Sequence, residues 1–466
     1  MAVTGMASDG QRSADSATTL PSEVTRELAK YIVRARYEDM PAAVRREGLR
    51  TLVNWVGAAV GGSHHDGIDR AVAALAPFSA ASHAAILGRS ERLDIMNAAF
   101  VNGVSSHILD FDDTHLKTII HPAASVAPAI LAFSEYRNVA GREFLNALIL
   151  GVETECRIGN AVYPDHYDRG WHITGTCGAF GAAAAMGKLL DLSEQQMRWA
   201  LGLAASQPVG FRESFGSMNK SFNPGRAAHN GMTAAVLAHA GFTSSDRMIE
   251  ASRGWAHTIS DKQDWRKITG GLGAHYEALL NTYKPFACGV VLHPAIDAAI
   301  QLRNRHGLRA EDIERIELRV HPLVLELTGK TAPATGLDGK FSVYHAVAAA
   351  IIDGAAGPKQ FSDSAVREPS VIALRAKVAP TADPSIEPEQ VDCRIVLRDG
   401  RTVHQRIEDA TGSAASPLTD EALEVKFLGL AEGILTSQQA RRLLDACWNI
   451  ERSPSAATIA EAAVPR

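Results

Sequence analysis

The chain has 466 residues, 46% of them hydrophobic, with 47 basic against 52 acidic side chains for a formal charge of −5. That length exceeds one ordinary core and predicts two domains, and the charge balance, with no basic run interleaved with aromatics, argues against a nucleic-acid surface. No apolar run approaches the ~18–20 residues that span a bilayer, and five scattered cysteines without a C-x-x-C pair read as reduced thiols of a cytoplasmic protein.

Residues 1–20 are polar, hold Arg12 as their only basic side chain and lack the apolar core of a secretory signal, so a disordered tail is expected there. From Pro21 to about Gly57 the pattern is helical, with Val24, Leu28, Ile32 and Val33 on one face and Val44, Leu49, Leu52, Val53 and Val56 on the next. Ala98, Val101, Ser105 and Ile108 predict a helix that runs into the densest cluster of titratable groups in the chain. Between Asn102 and Pro122 stand Asp110, Asp112, Asp113, Thr114, His107, His115, His121 and Lys117. Pro122 suits a first helical position, which puts His121 at a helix N-terminus, where free N–H groups favour an anion.

A helix over Phe144 to about Ile158 comes next. The polar, aromatic loop around Gly170-Trp171-His172 then passes to Thr174 or Thr176 as N-cap and a helix of Ala and Gly. The segment Ser214 to Arg226, with Lys220, reads as a loop before a helix over Ala227–Ala240, and Ser244–Glu250 as a short helix. Three times, therefore, a His or Lys stands just ahead of a helix of small residues.

Beyond Gly271 the texture changes. Tyr283-Lys284 opens a loop leading into a helix over Pro294–Arg303, Ile313–Val320 alternates as a half-buried strand, and Tyr344 follows a loop into a helix. Val371–Val378 is helix or strand, and Asp392–His404 is a hairpin with Asp399-Gly400 at its turn. From Thr419 the pattern is helical again. The expected architecture is mainly α with a smaller α+β domain: a helical domain from 21–274 and 409–455, and an inserted α+β lid over 275–408.

Taken singly, His172, Lys220 and Lys284 are ordinary, and Asp112, Asp113, His107 and His115 read as caps or salt bridges at a helix end. Their repeated placement lets cationic and donor groups surround one polycarboxylate. Two ammoniums in one pocket also lower each other's pKa, which frees one as a base near neutral pH. Two other readings stay open. Asp110-Phe-Asp112-Asp113-Thr114 fits the D-x-D-x-T pattern of haloacid-dehalogenase-type phosphatases, although the preceding segment is helical and no later Gly-Asp-x-x-x-Asp follows. The same Asp and His residues also form a candidate hard-metal site.

At Leu109-Asp-Phe-Asp-Asp-Thr114 with His121-Pro122, Gly170-Trp-His172-Ile-Thr-Gly-Thr176, Asn219-Lys220 with Pro224-Gly-Arg226, Tyr283-Lys284-Pro285 and Lys340-Phe-Ser-Val-Tyr344, the sequence resembles the MmgE/PrpD family. The resemblance runs from about residue 22 to about residue 450. It implies a homodimer with the site between two domains, no metal or organic cofactor, and a small acidic metabolite as partner. The implied catalytic residues are His121, His172, Asp110 and Tyr344, with Thr114, Lys220 and Lys284 binding substrate. Asp110 is expected to orient one imidazole, and His121 and His172 to act as acid and base. The chemistry moves a proton next to a carboxylate: a lyase resembling 2-methylcitrate dehydratase or cis-aconitate decarboxylase, or alternatively an epimerase resembling iminodisuccinate epimerase. A catalytically silent helical scaffold is the remaining reading.

Overall fold

A computed structural model describes residues 23–465, so the tail expected over residues 1–20 lies outside the described residues. The fold is mainly helical with small sheets, as the periodicities predict. Two apolar cores are present. One is built from Val24 to Tyr283 and again from Leu418 to Ala463, and the other from Ala287 to Ala410. The second core also takes in Phe111 and Leu430, so the chain next to Asp110 is anchored in it.

Small residues decide how the helices of the first core cross. The helix Ile95–Ile108 starts at Asp94, whose carboxylate accepts from the amides of Met96 and Asn97 at 3.0 Å each. It crosses the helix Met218–His239 with backbones nearly touching: a Cβ on Gly103 would lie 2.7 Å from the Cα of Gly225 and 3.0 Å from the carbonyl oxygen of Ala124. This contact explains why Ser214–Arg226 is not the loop its Pro-Gly pair implies. The helix already begins at Met218 and carries Pro224 inside it, because packing against Ile95–Ile108 outweighs the lost amide donor. Lys220 is thereby a first-turn helical residue. The short helix expected over Ser244–Glu250 is instead a run of turns; its few apolar side chains do not repay the ordering of so short a helix.

Among the described residues, eight strands form three small sheets. β1 (Ala84–Ala85) pairs with β2 (Arg92–Leu93), and β3 (Asp113–His115) with β4 (Asn281–Tyr283), both antiparallel. The third sheet has the order β6-β5-β7-β8 and contains β5 (Ile313–Val320), β6 (Val378–Ala382), β7 (Val391–Leu397) and β8 (Thr402–Ile407). β5 and β6 run parallel, while β7 and β8 form the hairpin turned at Asp399-Gly400, where Gly400 has φ +87°. Val391, Cys393, Ile395 and Leu397 all point inward from β7, the period-two pattern of a sheet with one buried face. The segment read as helix or strand is both: a helix over Pro369–Arg375, then β6. Among the described residues no helix is long and apolar enough to cross a membrane.

The Gly103–Gly225 crossing yields a test. Gly103→Ala drives a Cβ into backbone atoms that cannot rotate away, at a cost of ~1–3 kcal/mol, to be read as a lower denaturant midpoint with an unchanged m-value.

Candidate active site

The β3–β4 pairing builds the floor of the site. Its register sets Asp113 opposite Tyr283, so Lys284, one residue on, arrives beside the Asp110–Asp112 turn. Lys220 comes from the opposite direction. It lies about one turn from the Gly103–Gly225 crossing, as His107 does on the other helix, and the two side chains meet with Lys220 Nζ donating to His107 Nε2 at 2.8 Å. His121 and His172 each immediately precede a helix, Pro122–Tyr136 and Ile173–Leu189. Asp110, His121, His172, Lys220 and Lys284 line one cavity with about 490 Å³ of atom-free space, whose remaining wall is mainly apolar and includes Phe215, Val290, Val291, Leu327 and Phe341.

At its centre both lysines donate to one oxygen. Lys284 Nζ lies 2.5 Å and Lys220 Nζ 3.1 Å from Asp110 Oδ1, all three side chains being buried, while Asp110 Oδ2 has no hydrogen-bond partner. Burial by itself raises the Asp110 carboxyl, but the ammoniums of Lys220 and Lys284 outweigh it and hold the group well below the usual carboxylate range. Asp110 takes a left-handed backbone with φ +50°, uncommon for a residue with a side chain.

The imidazoles are oriented by other groups. His107 Nδ1 donates to Asp112 Oδ2 at 2.6 Å, and His121 Nδ1 lies 3.2 Å from Asp112 Oδ1 and 2.9 Å from the Asp113 carbonyl. A carbonyl only accepts, so His121 carries its proton on Nδ1 and leaves Nε2 as a lone pair. His172 is the opposite tautomer: the Asn223 amide donates to its Nδ1 at 2.9 Å, which leaves the proton on Nε2. Neither Nε2 has a protein partner among the described residues. Burial pushes His121 down to about 4 and His172 well below the ordinary imidazole range, so both rings are neutral at pH 7. The carboxylate that touches imidazoles is thus Asp112, whereas Asp110, expected in that role, is taken up by the ammoniums; the turn at Asp110 aims its side chain at the lysines instead.

Thr114, on β3, puts its hydroxyl 3.4 Å from His121 Nδ1 behind the ring. Tyr344 packs half-buried against the second core and is not among the residues lining the cavity. Sequence reading passed over Asn223, took His107 and Asp112 for caps or salt bridges at a helix end, named Lys340 only within a motif and gave it no role, and did not single out Lys426; Lys340 is buried and Lys426 half-buried. Lys426 had a legible signal, since with Leu423, Phe427 and Leu430 it occupies an apolar-stripe position of the helix Asp420–Ala431.

A family model described as the MmgE/PrpD N-terminal domain matches residues 26–268, and one described as the MmgE/PrpD C-terminal domain matches residues 286–450. The chain belongs to the MmgE/PrpD family. Among its relatives within curated proteins, a cis-aconitate decarboxylase of Aspergillus terreus is 26% identical, with 95% of this chain and 96% of the relative covered. The cis-aconitate decarboxylase of Homo sapiens is 29% identical over 77% of each chain, and a 2-methylcitrate dehydratase of Cupriavidus necator is 22% identical over 78% of each. The family and the lyase class expected from the motifs are those of these relatives.

The MmgE/PrpD site also contains three groups at metal-binding distances, His107, Asp112 and His121, whose candidate ligand atoms lie within 4.8 Å of one another. Their hydrogen bonding describes a different arrangement. Both Nδ1 atoms face acceptors and carry protons, and Lys220 sits on the other nitrogen of His107, so an ion would displace protons beside an ammonium. The strand that the D-x-D-x-T reading needs ahead of Asp110 is the helix Ile95–Ile108.

Asp113 gives a pH test of this electrostatic arrangement. Burial, and next the charge of Asp112, raise its carboxyl from 3.8 to about 7. The folded state therefore holds the proton more tightly than the unfolded one, and the resulting stability is complete below about pH 4 and is lost as pH rises through about 7. Asp113→Asn has no such dependence, so its Tm relative to the parent protein should climb by several degrees between pH 5 and pH 8 in thermal scans.

Proposed function

We propose that this MmgE/PrpD protein is a lyase that removes carbon dioxide from a small unsaturated tricarboxylate of the cis-aconitate type, without a metal or organic cofactor. The observation that carries the reading is the pair of ammoniums on Asp110 set beside two neutral imidazoles of opposite tautomer. Lys220 and Lys284 share a single carboxylate, so a second anion is needed to balance them, and a polycarboxylate supplies it. The alignment of cis-aconitate decarboxylases over nearly the whole chain supports decarboxylation; the dehydratase similarity supports dehydration as the second reading.

In decarboxylation the carbon–carbon bond breaks and its electron pair stays on the organic fragment, spread into a remaining carboxylate, until a proton reaches carbon. The lysines neutralise that developing charge, with the His172 Nε2–H as a further donor to the carboxylate oxygens. The apolar walls at Val290, Val291 and Leu327 favour neutral carbon dioxide over the carboxylate it came from. His121 supplies the proton. Its Nε2 is empty in the free protein, and the anionic substrate raises its proton affinity so that the ring loads from solvent and delivers to carbon. In dehydration the same lone pair would begin as the base. Thr114 holds the His121 ring, and Tyr344 is left as a group outside the cavity wall.

The reading includes a homodimer in the cytoplasm. Met218, Phe222 and Val236, partly exposed along one stripe of a single helix, support the dimer, and five buried free cysteines support a reducing compartment.

Incubation in heavy water without added metal, with cis-aconitate, citrate, methylcitrate and iminodisuccinate isomers, tests the reaction class. The expected result is carbon dioxide and a deuterated unsaturated dicarboxylate from cis-aconitate, with kcat lowered ~10²–10³-fold in His172→Ala, the scale for loss of one charge-stabilising donor. Deuterium uptake with the skeleton intact would establish an epimerase instead, and a new alkene from methylcitrate a dehydratase. Calorimetry of a saturated tricarboxylate analogue at pH 7, in buffers of different ionisation enthalpy, should show proton uptake approaching one per site. His121→Ala should abolish that uptake, because a ring with a pKa of about 4 is empty in the free protein and gains its proton only with the ligand.

A further inference from the structure

Three consecutive carbonyl groups, those of Leu109, Asp110 and Phe111, each accept from a different buried ammonium. Lys340 Nζ lies 2.7 Å from the first, Lys284 Nζ 3.2 Å from the second and Lys426 Nζ 2.6 Å from the third. Lys340 and Lys426 then make their second contacts on the other side of the cleft. Lys340 donates to the Ala287 carbonyl at 2.8 Å, and Lys426 to the Lys284 carbonyl at 2.9 Å. The remaining direction of Lys426 is taken by Asn54 Oδ1 at 2.8 Å, and its ammonium stands 4.0 Å from the centre of the Phe111 ring. Neither lysine touches a carboxylate, and neither lines the substrate cavity.

An ammonium has three N–H donors, and burying one without an anionic partner is costly unless each donor finds an acceptor. Lys426 fills all three with two backbone carbonyls and an amide oxygen, while Lys340 fills two with backbone carbonyls and holds its ammonium 5.1 Å from the centre of the Phe361 ring; all four carbonyls belong to the two segments that deliver Asp110 and Lys284. The three segments that meet are remote in sequence: Lys340 comes from the second core, Lys426 from the helix Asp420–Ala431 that returns to the first, and the Asp110 turn from the end of the helix Ile95–Ile108. The left-handed backbone of Asp110, φ +50°, is strained and persists only where its surroundings over-determine it. Here the carbonyls on both flanks are held.

We propose that Lys340 and Lys426 are positioning residues: two clamps that pin the Asp110 turn to the Lys284 segment and so fix the spacing at which Lys220 and Lys284 receive an anionic substrate. What is positioned rests on the lyase reading above, whereas the clamp is a property of the free protein. Both ammoniums act through backbone atoms, so their removal misplaces the substrate-binding lysines without removing a contact to substrate.

The test uses Lys340→Met and Lys426→Met in the full chain; methionine keeps the apolar stem and lacks the donors. Hydrogen exchange of the free protein should accelerate at least tenfold over both 108–118 and 281–290 in either variant, while the helix Gly141–Val162 keeps its parental protection. With the proposed substrate, kcat should fall ~10²-fold, the scale set by a misplacement of about 1 Å, and KM should stay within about threefold. Parental exchange in both segments, or an unchanged kcat, overturns the proposal. If the parent protein turns over no polycarboxylate, the lyase reading fails and the exchange measurement alone decides the clamp. Should Lys426→Met not fold, Asn54→Ala keeps the lysine and removes one acceptor. It should loosen the same two segments together, and parental exchange in both would overturn the clamp.

Discussion

The structure around the site depends on one buried carboxylate oxygen, Asp110 Oδ1, being shared by the ammoniums of Lys220 and Lys284. Each lysine alone would be an unpaired charge away from water, which proteins avoid by pairing or by releasing the proton. One carboxylate between two ammoniums solves only half of the problem. It keeps the site assembled in the free protein and leaves a standing demand for a further anion. The same imbalance that makes the cluster costly to bury is what the proposed acidic ligand would relieve.

The imidazoles follow from the same burial. His121 and His172 sit among cationic groups in an apolar enclosure, where a charged ring is disfavoured twice, by desolvation and by the lysines. They stay neutral, and their hydrogen-bond partners then choose between two tautomers. A backbone carbonyl on His121 Nδ1 and an amide donor on His172 Nδ1 give the cavity one nitrogen lone pair and one N–H. This asymmetry is a consequence of ordinary neighbours, Asp113 and Asn223, rather than of any unusual chemistry in the rings.

Much of this was legible in the chain. Period-three and period-four apolar spacing revealed the helices, period-two spacing revealed β5 and the β7–β8 hairpin, and the motifs around Asp110, His121, His172, Lys220 and Lys284 carried the family resemblance. The misreadings have physical causes. Pro224-Gly225 looks like a loop because local propensity opposes a helix there, yet the missing Cβ is what lets that helix pack on Gly103. Asp112, read singly as a cap or salt bridge at a helix end, does pair with His107 there; what local spacing hid is that the positive-φ turn at Asp110 sends the two carboxylates to different partners. Lys426 was not singled out, because a lone charge on an amphipathic helix is usually solvated.

The sequence by itself therefore determined which elements form, which residue types are available to hold an acidic ligand, and the family to which they belong. Local spacing and side-chain chemistry suffice for that. Only the tertiary structure decided that Asp110 serves the lysines and Asp112 the imidazoles, which nitrogen of each histidine is free, and that Lys340 and Lys426 reach the backbone of the site. The lysine contacts join residues more than a hundred positions apart, and the shorter-range contacts of the histidines depend on how the turn and the helix starts are oriented. The strength and direction of such contacts are set by burial and backbone orientation, which no local stretch of chain contains.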